Sequence, residues 1–308
     1  MFSPGVGQRL SVISRDPIAR EFDGFIIDCQ ARALSPRTIE LYQDKFSYWR
    51  QLFKSMGATE VAAITPHHIR HGLVELAKTH NPGGVHVCYR VLKTFLRWLV
   101  AEGVVEKNPI QRIKPPKVPQ EPLEPVPLTD VKAMLRTCDK TFTGERDRAI
   151  LLCLLDTGCR ASEFVALNIG DVNLATGAAM IRQGKGGKFR TAFLGNKARR
   201  AMVRVLRYQG DPGSDAPLWV TNEGTRFTYW GLRHVVRRRA ERAEVPAPCL
   251  HSFRRAFALL SLRGGMDIFS LQRLMGHSDL SVLRRYLAQT EDDLADAHRR
   301  AGPVDNLL

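Results

Sequence analysis

The sequence predicts a mainly α-helical protein in two domains, the second of which also carries a small antiparallel β-sheet. Three observations lead to this fold class. The chain has 308 residues, which is more than one hydrophobic core usually organises. Apolar residues recur at three- and four-residue intervals through most of the chain. Six prolines between residues 114 and 127 interrupt that pattern, because proline at this density does not sustain a helix.

The first domain is predicted to be a bundle of four helices over residues 17–113, after a tail at 1–16. Ser35 and Thr65 each precede a proline, a pair typical of an N-cap followed by the first helical residue. The turns between the helices are short, as in other bundles. The helices are expected at 17–33, from Ser35-Pro36 to Gly57, from Thr65-Pro66 to the closing run Asn81-Pro-Gly-Gly84, and at about 85–102.

Residues 114–127 are predicted to be the linker between the domains. A proline-rich stretch favours an extended, semi-rigid chain of ~3.1 Å per residue, so this length reaches more than about 30 Å. Two domains joined in this way could lie on opposite sides of a ligand as thick as duplex DNA. The second domain then covers 128–308, with a C-terminal tail from about 289.

In the second domain the pattern changes from helices to short strands and back to helices. Helices are expected from Leu128 and over 144–157, the second of which Gly158 ends. Arg160-Ala-Ser-Glu163 then begins another helix. Short strands at 172–174, 178–181 and 190–194 surround the glycine- and lysine-rich loop 183–188. Further helices are predicted at about 196–208, 228–242, 251–264, 267–276 and 279–288, with a last one starting at the acidic residues 291–293.

The charge of the chain favours a polyanionic partner. Lys and Arg number 46 against 31 Asp and Glu, a net charge of +15, and the sequence pI is about 9.9. Such an excess is typical of proteins that bind nucleic acid, although a basic surface can also serve solubility alone. Several cations are candidates for contacts with a phosphate backbone or with bases. They are Arg90, Lys93 and Arg97, which share one helix stripe, with Arg37, Lys188, Arg233 and Arg237.

Other functional classes are not favoured by the sequence. No run of apolar residues is long enough for a membrane span, and the N-terminus has no secretory apolar region, so a cytoplasmic protein is expected. The six cysteines are scattered and predict reduced core thiols, without a disulfide frame or zinc site. His67 and His71 share a helix face but lack further ligands for a metal. The loop GKGGK lacks the spacing of a P-loop. We therefore expect no metal, ATP or other cofactor.

Six residues of the second domain, together with their neighbours, resemble the signature of the tyrosine recombinases, also called phage integrases. The first domain resembles the core-binding domain of the same family in its SPRTIELY opening and its YRVLKTFLRWLV close. The resemblance spans nearly the whole chain and is that of a simple, Xer-like member with two domains. The six residues are Arg160 in TGCRASE, Lys185 in QGKGGK, His251 and Arg254 in HSFRR, His277 in LMGHSDLS and Tyr286 in LRRYLAQ.

The resemblance implies a catalytic activity on double-stranded DNA. Members of the family carry out site-specific recombination through a 3′-phosphotyrosine intermediate and a Holliday junction, with a dimer on each site and a tetramer in the synapse. The second domain would then be the catalytic domain. Two alternatives remain open at this point: a type IB topoisomerase that reseals the same strand, and a DNA-binding protein that keeps the fold without catalysis.

The resemblance also implies how the cleavage would proceed. Tyr286 would be the nucleophile, and Lys185 would donate a proton to the leaving 5′-oxygen. Charge that builds on the non-bridging oxygens of the phosphate needs neutralising, and the planar guanidiniums of Arg160 and Arg254 are suited to it.

Three further side chains have expected supporting roles. His251 stands one helical turn before Arg254 and is expected to accept the tyrosine proton, while His277 would position the phosphate. Glu163 could hold the Arg160 guanidinium or simply cap the first turn of its helix. One departure from the family is Arg255, where histidine is frequent; this arginine adds a positive charge near the site.

Overall fold

The computed structural model describes residues 16–119, 124–182, 189–210 and 212–276, with the single residues at 295, 298, 299, 302 and 304. The chain divides into two compact units, Met1–Glu121 and Pro122–Leu308. This division lies inside the predicted linker at 114–127, and the assignment of domains with functions stays a prediction. The predicted class is confirmed, because the described residues form helices and one small two-stranded antiparallel sheet.

Four long helices build the first unit, and each begins in the same way. A polar N-cap residue precedes a proline at the first helical position, where the missing N–H leaves no hydrogen bond unmade. The caps are Asp16, Ser35, Thr65 and Asn81. The helices are α1 (Pro17–Ala31), α2 (Pro36–Ser55), α3 (Pro66–Thr79) and α4 (Pro82–Ala101), with a short 3-10 turn at Val61–Ala63.

The prediction for residues 81–84 was wrong in one respect. This run does not close α3, which ends at Thr79, but opens α4. The Asn81 side chain accepts a hydrogen bond from the Gly84 N–H at 2.8 Å, so asparagine and proline act here as the N-cap and first residue of a helix. The two glycines, which predicted a loop, occupy its first turn.

Aromatic rings fill the core between α1, α2 and α4. Phe22 stacks on Phe46 with 3.7 Å between ring centroids, and Phe95 meets Phe46 edge-on at 4.8 Å. Trp49 is fully buried, and its Nε1 donates to the Cys88 carbonyl oxygen at 2.9 Å. This hydrogen bond satisfies the polar atom of a large buried side chain, and it joins α2 to α4.

The second unit is built around a central buried helix. Its elements are α5 (Leu128–Arg136), α6 (Phe142–Thr157), α7 (Ala161–Ala166), a 3-10 turn (Ile169–Asp171), β1 (Ala178–Ile181), β2 (Arg190–Phe193), α8 (Asn196–Gln209), α9 (Tyr229–Arg242), α10 (Leu250–Arg263) and α11 (Ile268–Met275). Helix α6 packs against α5, α8, α9 and α10. As its apolar run predicts, it is buried on nearly all sides.

A single buried carboxylate joins α6 to α9. Asp147 of α6 is fully buried, and its Oδ2 accepts from Arg238 at 2.6 Å and from Arg239 at 2.8 Å. Its Oδ1 accepts from the neighbouring Arg146 at 3.2 Å. Arg239 is also buried and donates to the Thr137 carbonyl oxygen at 2.7 Å. The charges buried here are therefore all hydrogen-bonded, and two of these bonds join α6 to α9.

The strands β1 and β2 pair in antiparallel register, with Ala178 opposite Phe193 and Ile181 opposite Arg190. The predicted strand at 172–174 was wrong: only an isolated bridge from Val172 to Ala179 is present. The Asn173 side chain explains why regular strand pairing does not extend to residues 172–174. It accepts hydrogen bonds from the N–H groups two and three residues later, at 2.9 and 3.0 Å, and so turns the chain.

Smaller corrections concern one helix start and one cysteine. Helix α6 begins at Phe142, two residues before the predicted Gly144, because the Thr141 hydroxyl caps the Gly144 N–H at 3.1 Å. Cys249 is exposed, whereas the other five cysteines are buried free thiols as predicted. Within the described ranges, no helix is long and apolar enough to cross a membrane. The predicted helix at 279–288 lies outside the described residues, and of the one from 291 only residues 295, 298 and 299 are described, all three as helical.

Candidate active site

The position of Arg160 follows from the glycine that ends α6. Gly158 has the left-handed φ of +57°, and a Cβ added there would lie 2.3 Å from the Phe257 ring. Only glycine fits a site that combines this backbone conformation with so close a neighbour. The chain turns at this point, and Arg160 becomes the N-cap of α7. Its side chain is 31% exposed.

Glu163 holds Arg160 from two directions. Its Oε1 accepts from the Arg160 Nη1 at 2.7 Å, and its Oε2 accepts from the Arg160 backbone N–H at 2.9 Å. The Glu163 side chain is 1% exposed. The carboxylate therefore caps the first turn and orients the guanidinium at once, so both alternatives left open by the sequence are present together.

Arg254 is the most deeply buried of the predicted cations that the structure describes, at 1% exposure. Its Nη1 donates to the Gly158 carbonyl oxygen at 2.6 Å, and its Nη2 donates to the Met275 carbonyl oxygen at 2.7 Å. The guanidinium thus joins the turn before Arg160 to the last turn of α11. The residue after that turn is Gly276, and His277 follows it.

His251 lies on α10, one turn before Arg254, and its side chain is exposed on one side. Partial burial, followed by the charges of Arg255, Arg254 and Arg160, lowers the pKa of His251 to about 4. The imidazole is therefore neutral at pH 7 and can accept a proton. Of the three cations, Arg255 lowers the pKa of His251 the most. Arginine at position 255, where the family frequently has histidine, therefore favours the neutral form of His251.

Arg190 is a second guanidinium on the Glu163 carboxylate, and the sequence did not single it out. Its Nη2 donates to Glu163 Oε2, and its side chain is 8% exposed. The sequence offered one signal, namely that Arg190 begins the strand directly after the 183–188 loop. Its contact with Glu163, 27 residues away, could not be predicted from spacing.

The structure brings Arg160, His251 and Arg254 together with Glu163. Arg254 donates to the Gly158 carbonyl oxygen, two residues before Arg160, and Glu163 binds Arg160 directly. The charges of Arg254 and Arg160 both act on the His251 imidazole, which lies one turn before Arg254. The remaining predicted residues, Lys185, Lys188, His277 and Tyr286, lie outside the described residues. In the part of the chain that is described, no group of three or more His, Cys, Asp or Glu side chains could hold a metal ion.

The candidate DNA contacts that the structure describes are all exposed. Arg90, Lys93 and Arg97 lie on α4 with their side chains at the surface. Arg37 pairs with Glu40 at 3.1 Å. On α9, the Arg233 guanidinium lies 5.6 Å from the centroid of the exposed Trp230 ring, and Arg237 pairs with Glu241 at 3.4 Å.

Comparison with known proteins gives one consistent result. Residues 126–292 match the phage integrase family. The tyrosine recombinase XerC of Pelobacter propionicus is 30% identical over 292 residues, which cover 93% of this chain and 96% of the relative. The tyrosine recombinase XerD of Ralstonia nicotianae is 30% identical over 285 residues, covering 88% of this chain and 89% of the relative.

Solved structures share the fold at lower sequence identity. A λ integrase tetramer bound to a Holliday junction superposes with a TM-score of 0.73 at 14% identity, covering 87% of this chain and 76% of that chain. The XerH site-specific recombinase bound to a palindromic difH substrate gives 0.69 at 19% identity, covering 90% and 82%. The resemblance noted in the sequence is confirmed, and the chain belongs to the phage integrase family of tyrosine recombinases.

Proposed function

We propose that Arg160, Lys185, His251, Arg254, His277 and Tyr286 carry out the strand cleavage and rejoining of this recombinase. As a family member, the chain is a site-specific DNA recombinase. The observation that carries the assignment is that Glu163 orients a partly exposed Arg160 two residues after Gly158, whose carbonyl oxygen binds the buried Arg254, one helical turn after the neutral His251. Cations beside a neutral base suit a phosphodiester and a nucleophile that must lose a proton.

These residues account for every bond and proton that changes in the cleavage step. The Tyr286 oxygen attacks the phosphorus, and its proton passes to the His251 imidazole. The bond from phosphorus to the 5′-oxygen breaks, and Lys185 supplies the proton that the leaving oxygen needs. The product is a 3′-phosphotyrosine and a 5′-hydroxyl. A 5′-hydroxyl from a partner strand reverses the same steps, because the phosphotyrosine conserves the energy of the broken bond.

The arginines of the site are proposed to neutralise the negative charge of the scissile phosphate. The guanidinium of Arg160 has further N–H donors besides the one bound to Glu163, and it can place them on non-bridging oxygens. A bound phosphate also partly neutralises the cations that lower the His251 pKa. DNA binding should therefore raise this pKa and make the imidazole a stronger base when the tyrosine is in place.

Double-stranded DNA is the proposed partner, with a homodimer on each site and a tetramer in the synapse. The chain has a net charge of +15, and the cations of α4 and α9 are exposed to contact a phosphate backbone. Two relatives support this proposal, since the λ integrase and XerH structures contain DNA. We infer a cytoplasmic location, which agrees with free cysteine thiols.

A nicked suicide substrate tests the proposal. Cleavage of the scissile strand releases a short fragment that diffuses away, so the protein stays covalently bound and migrates as a DNA adduct in a denaturing gel. We expect the adduct with the wild-type chain and its loss in Tyr286→Phe. An adduct that persists in Tyr286→Phe would exclude this residue as the nucleophile.

The topoisomerase alternative is decided with the same protein. A recombinase converts two DNA sites into Holliday junctions and recombinant products, whereas a type IB topoisomerase relaxes supercoiled DNA as a monomer. Relaxation without junctions, on plasmids that contain the bound sequence, would assign the chain to the second activity. The site must first be found by mapping protected DNA on bound genomic fragments.

A further inference from the structure

Arg190 is a buried cation that lies beside the site but outside the six-residue signature. Its Nη2 donates to the Glu163 carboxylate. The other two guanidinium nitrogens, Nε and Nη1, are buried without a hydrogen-bond partner among the described residues. Unmatched buried donors cost free energy.

The space around Arg190 is closed by parts of the proposed site. A Cβ added at Gly276 would lie 2.7 Å from the Arg190 Cδ and Nε, so the arginine packs directly under the residue before His277. Burial raises the pKa of the Cys159 thiol, and the nearby charge of Arg190 partly opposes this effect. Arg190 thus borders the turn that carries Arg160 as well as the end of α11.

The Glu163 carboxylate is shared between two arginines. Its Oε1 faces the Arg160 guanidinium, while its Oε2 accepts from both the Arg160 backbone N–H and Arg190. Two guanidiniums and one carboxylate leave one net positive charge. If Arg190 were absent, a single carboxylate would face a single guanidinium, and the pair would be neutral.

We propose that Arg190 is a positioning residue for the recombination reaction: it holds Glu163 and prevents this carboxylate from neutralising Arg160, which thereby keeps its charge for the scissile phosphate. The inference rests on the proposed function and extends it to a residue that does not touch the reacting atoms. Its effect belongs to the chemical step. DNA affinity is dominated by many phosphate contacts elsewhere and should change little.

Charge-altering variants test this role in single-turnover cleavage of the suicide substrate. We expect Arg190→Met to lower the cleavage rate by roughly 100-fold, as for the loss of one electrostatic stabiliser, with DNA affinity changed less than about threefold. Arg190→Lys keeps the charge and should stay within about tenfold of wild type. The double variant Arg190→Met with Glu163→Gln restores one net positive charge and should regain at least about tenfold over Arg190→Met.

A modified substrate and a matched variant separate this role from a structural one. A methylphosphonate at the scissile position removes the charge of one non-bridging oxygen, so the deficit of Arg190→Met should shrink on it. Arg204→Met breaks an arginine–carboxylate pair to Glu145 away from the site and should cleave at the wild-type rate. Circular dichroism melting of each variant shows whether a lost rate reflects unfolding.

The outcomes are distinct. No adduct with the wild-type chain would overturn the proposed function, and this inference with it. An equal rate in wild type and Arg190→Met would overturn the role of Arg190 alone. A double variant no faster than Arg190→Met, with an equal deficit on both substrates, would also overturn it, because a purely structural arginine would not respond to charge.

Discussion

Arg254 donates a hydrogen bond from Nη2 to the carbonyl oxygen of Met275, at 2.7 Å. Its Nη1 makes a matching bond to Gly158 at 2.6 Å. One guanidinium therefore fixes the positions of two chain segments that lead to other residues of the proposed site, Arg160 after Gly158 and His277 after Gly276. A role in assembling the site accompanies its proposed role in holding phosphate charge.

Arg254→Lys should separate the effect of the two hydrogen bonds of Arg254 from the effect of its positive charge. A lysine keeps the positive charge but cannot donate to both carbonyl oxygens in the arginine geometry, so one buried acceptor loses its partner. We expect a loss of about 1–3 kcal/mol in the free energy of unfolding and a drop in cleavage of at least about 100-fold. Urea unfolding and adduct formation measure the two effects. Wild-type stability in this variant would contradict the assembling role.

Gly158→Ala should destabilise the second unit by more than its backbone conformation alone requires. The left-handed φ costs about 1 kcal/mol for an alanine, and the contact of the new Cβ with Phe257 adds strain. Gly224→Ala is a suitable control, because Gly224 also has a positive φ of +77° but no atom within 4 Å of an added Cβ. Equal losses in the two variants, measured by urea unfolding, would show that the Phe257 contact does not matter.

Arg255→Gln should raise the pKa of His251 above its value of about 4. Removal of a nearby positive charge makes the protonated imidazole less unfavourable. NMR titration of the His251 ring reports the change directly, and Arg237→Gln, on α9, is the control. The value of kcat/KM for cleavage should fall at low pH, because acid protonates His251. In Arg255→Gln this fall should occur at higher pH than in the wild type. A fall at the same pH in both proteins would argue against His251 as the base.

Lys185→Ala should slow cleavage of ordinary DNA but spare a substrate with a 5′-bridging sulfur. The sulfur leaves as a thiolate and needs no proton, whereas the normal 5′-oxygen does. Rates on both substrates, measured in single turnover, give the comparison. An equal loss on the two substrates would exclude the lysine as the general acid.

The cationic stripe on α4 should contribute to the salt dependence of DNA binding. Replacement of Arg90, Lys93 or Arg97 by glutamine should each reduce the slope of log affinity against log salt by about one, if each contacts one phosphate. Arg32→Gln is the control, since Arg32 is exposed on the same unit and already pairs with Asp28. An unchanged slope in all three variants would remove this stripe from the interface.

The helices of this chain were predictable because short local patterns mark the residues at which they begin. Ser35-Pro36 and Thr65-Pro66 identify N-caps from two residues each, and the structure places helices there. The same logic applied to Asn81-Pro82, where the two following glycines obscured it. Glycine lowers helix propensity, yet the cap and the packing of α4 outweigh that cost.

The parts of the site that sequence could not provide depend on contacts between distant segments. Arg160, His251 and Arg254 carry recognisable neighbours, so the resemblance to a family identified them. Arg190 has no such neighbours, and its importance comes from Glu163 and Gly276, which lie far from it in the chain. The low pKa of His251 likewise depends first on its partial burial and then on cations from α10 and from the start of α7.

The carboxylate of Asp147 has a mechanical consequence. Helix α9 presents Arg233 and Arg237 outward, while Arg238 and Arg239 bind Asp147 on α6, and α6 runs into the turn that ends at Arg160. These buried ion pairs therefore join the two helices directly. If α9 lies in a groove of the DNA, the ion pairs of Asp147 set the distance between the bases that α9 contacts and the phosphate that is cut. Loop flexibility then has little influence on which phosphate is cleaved.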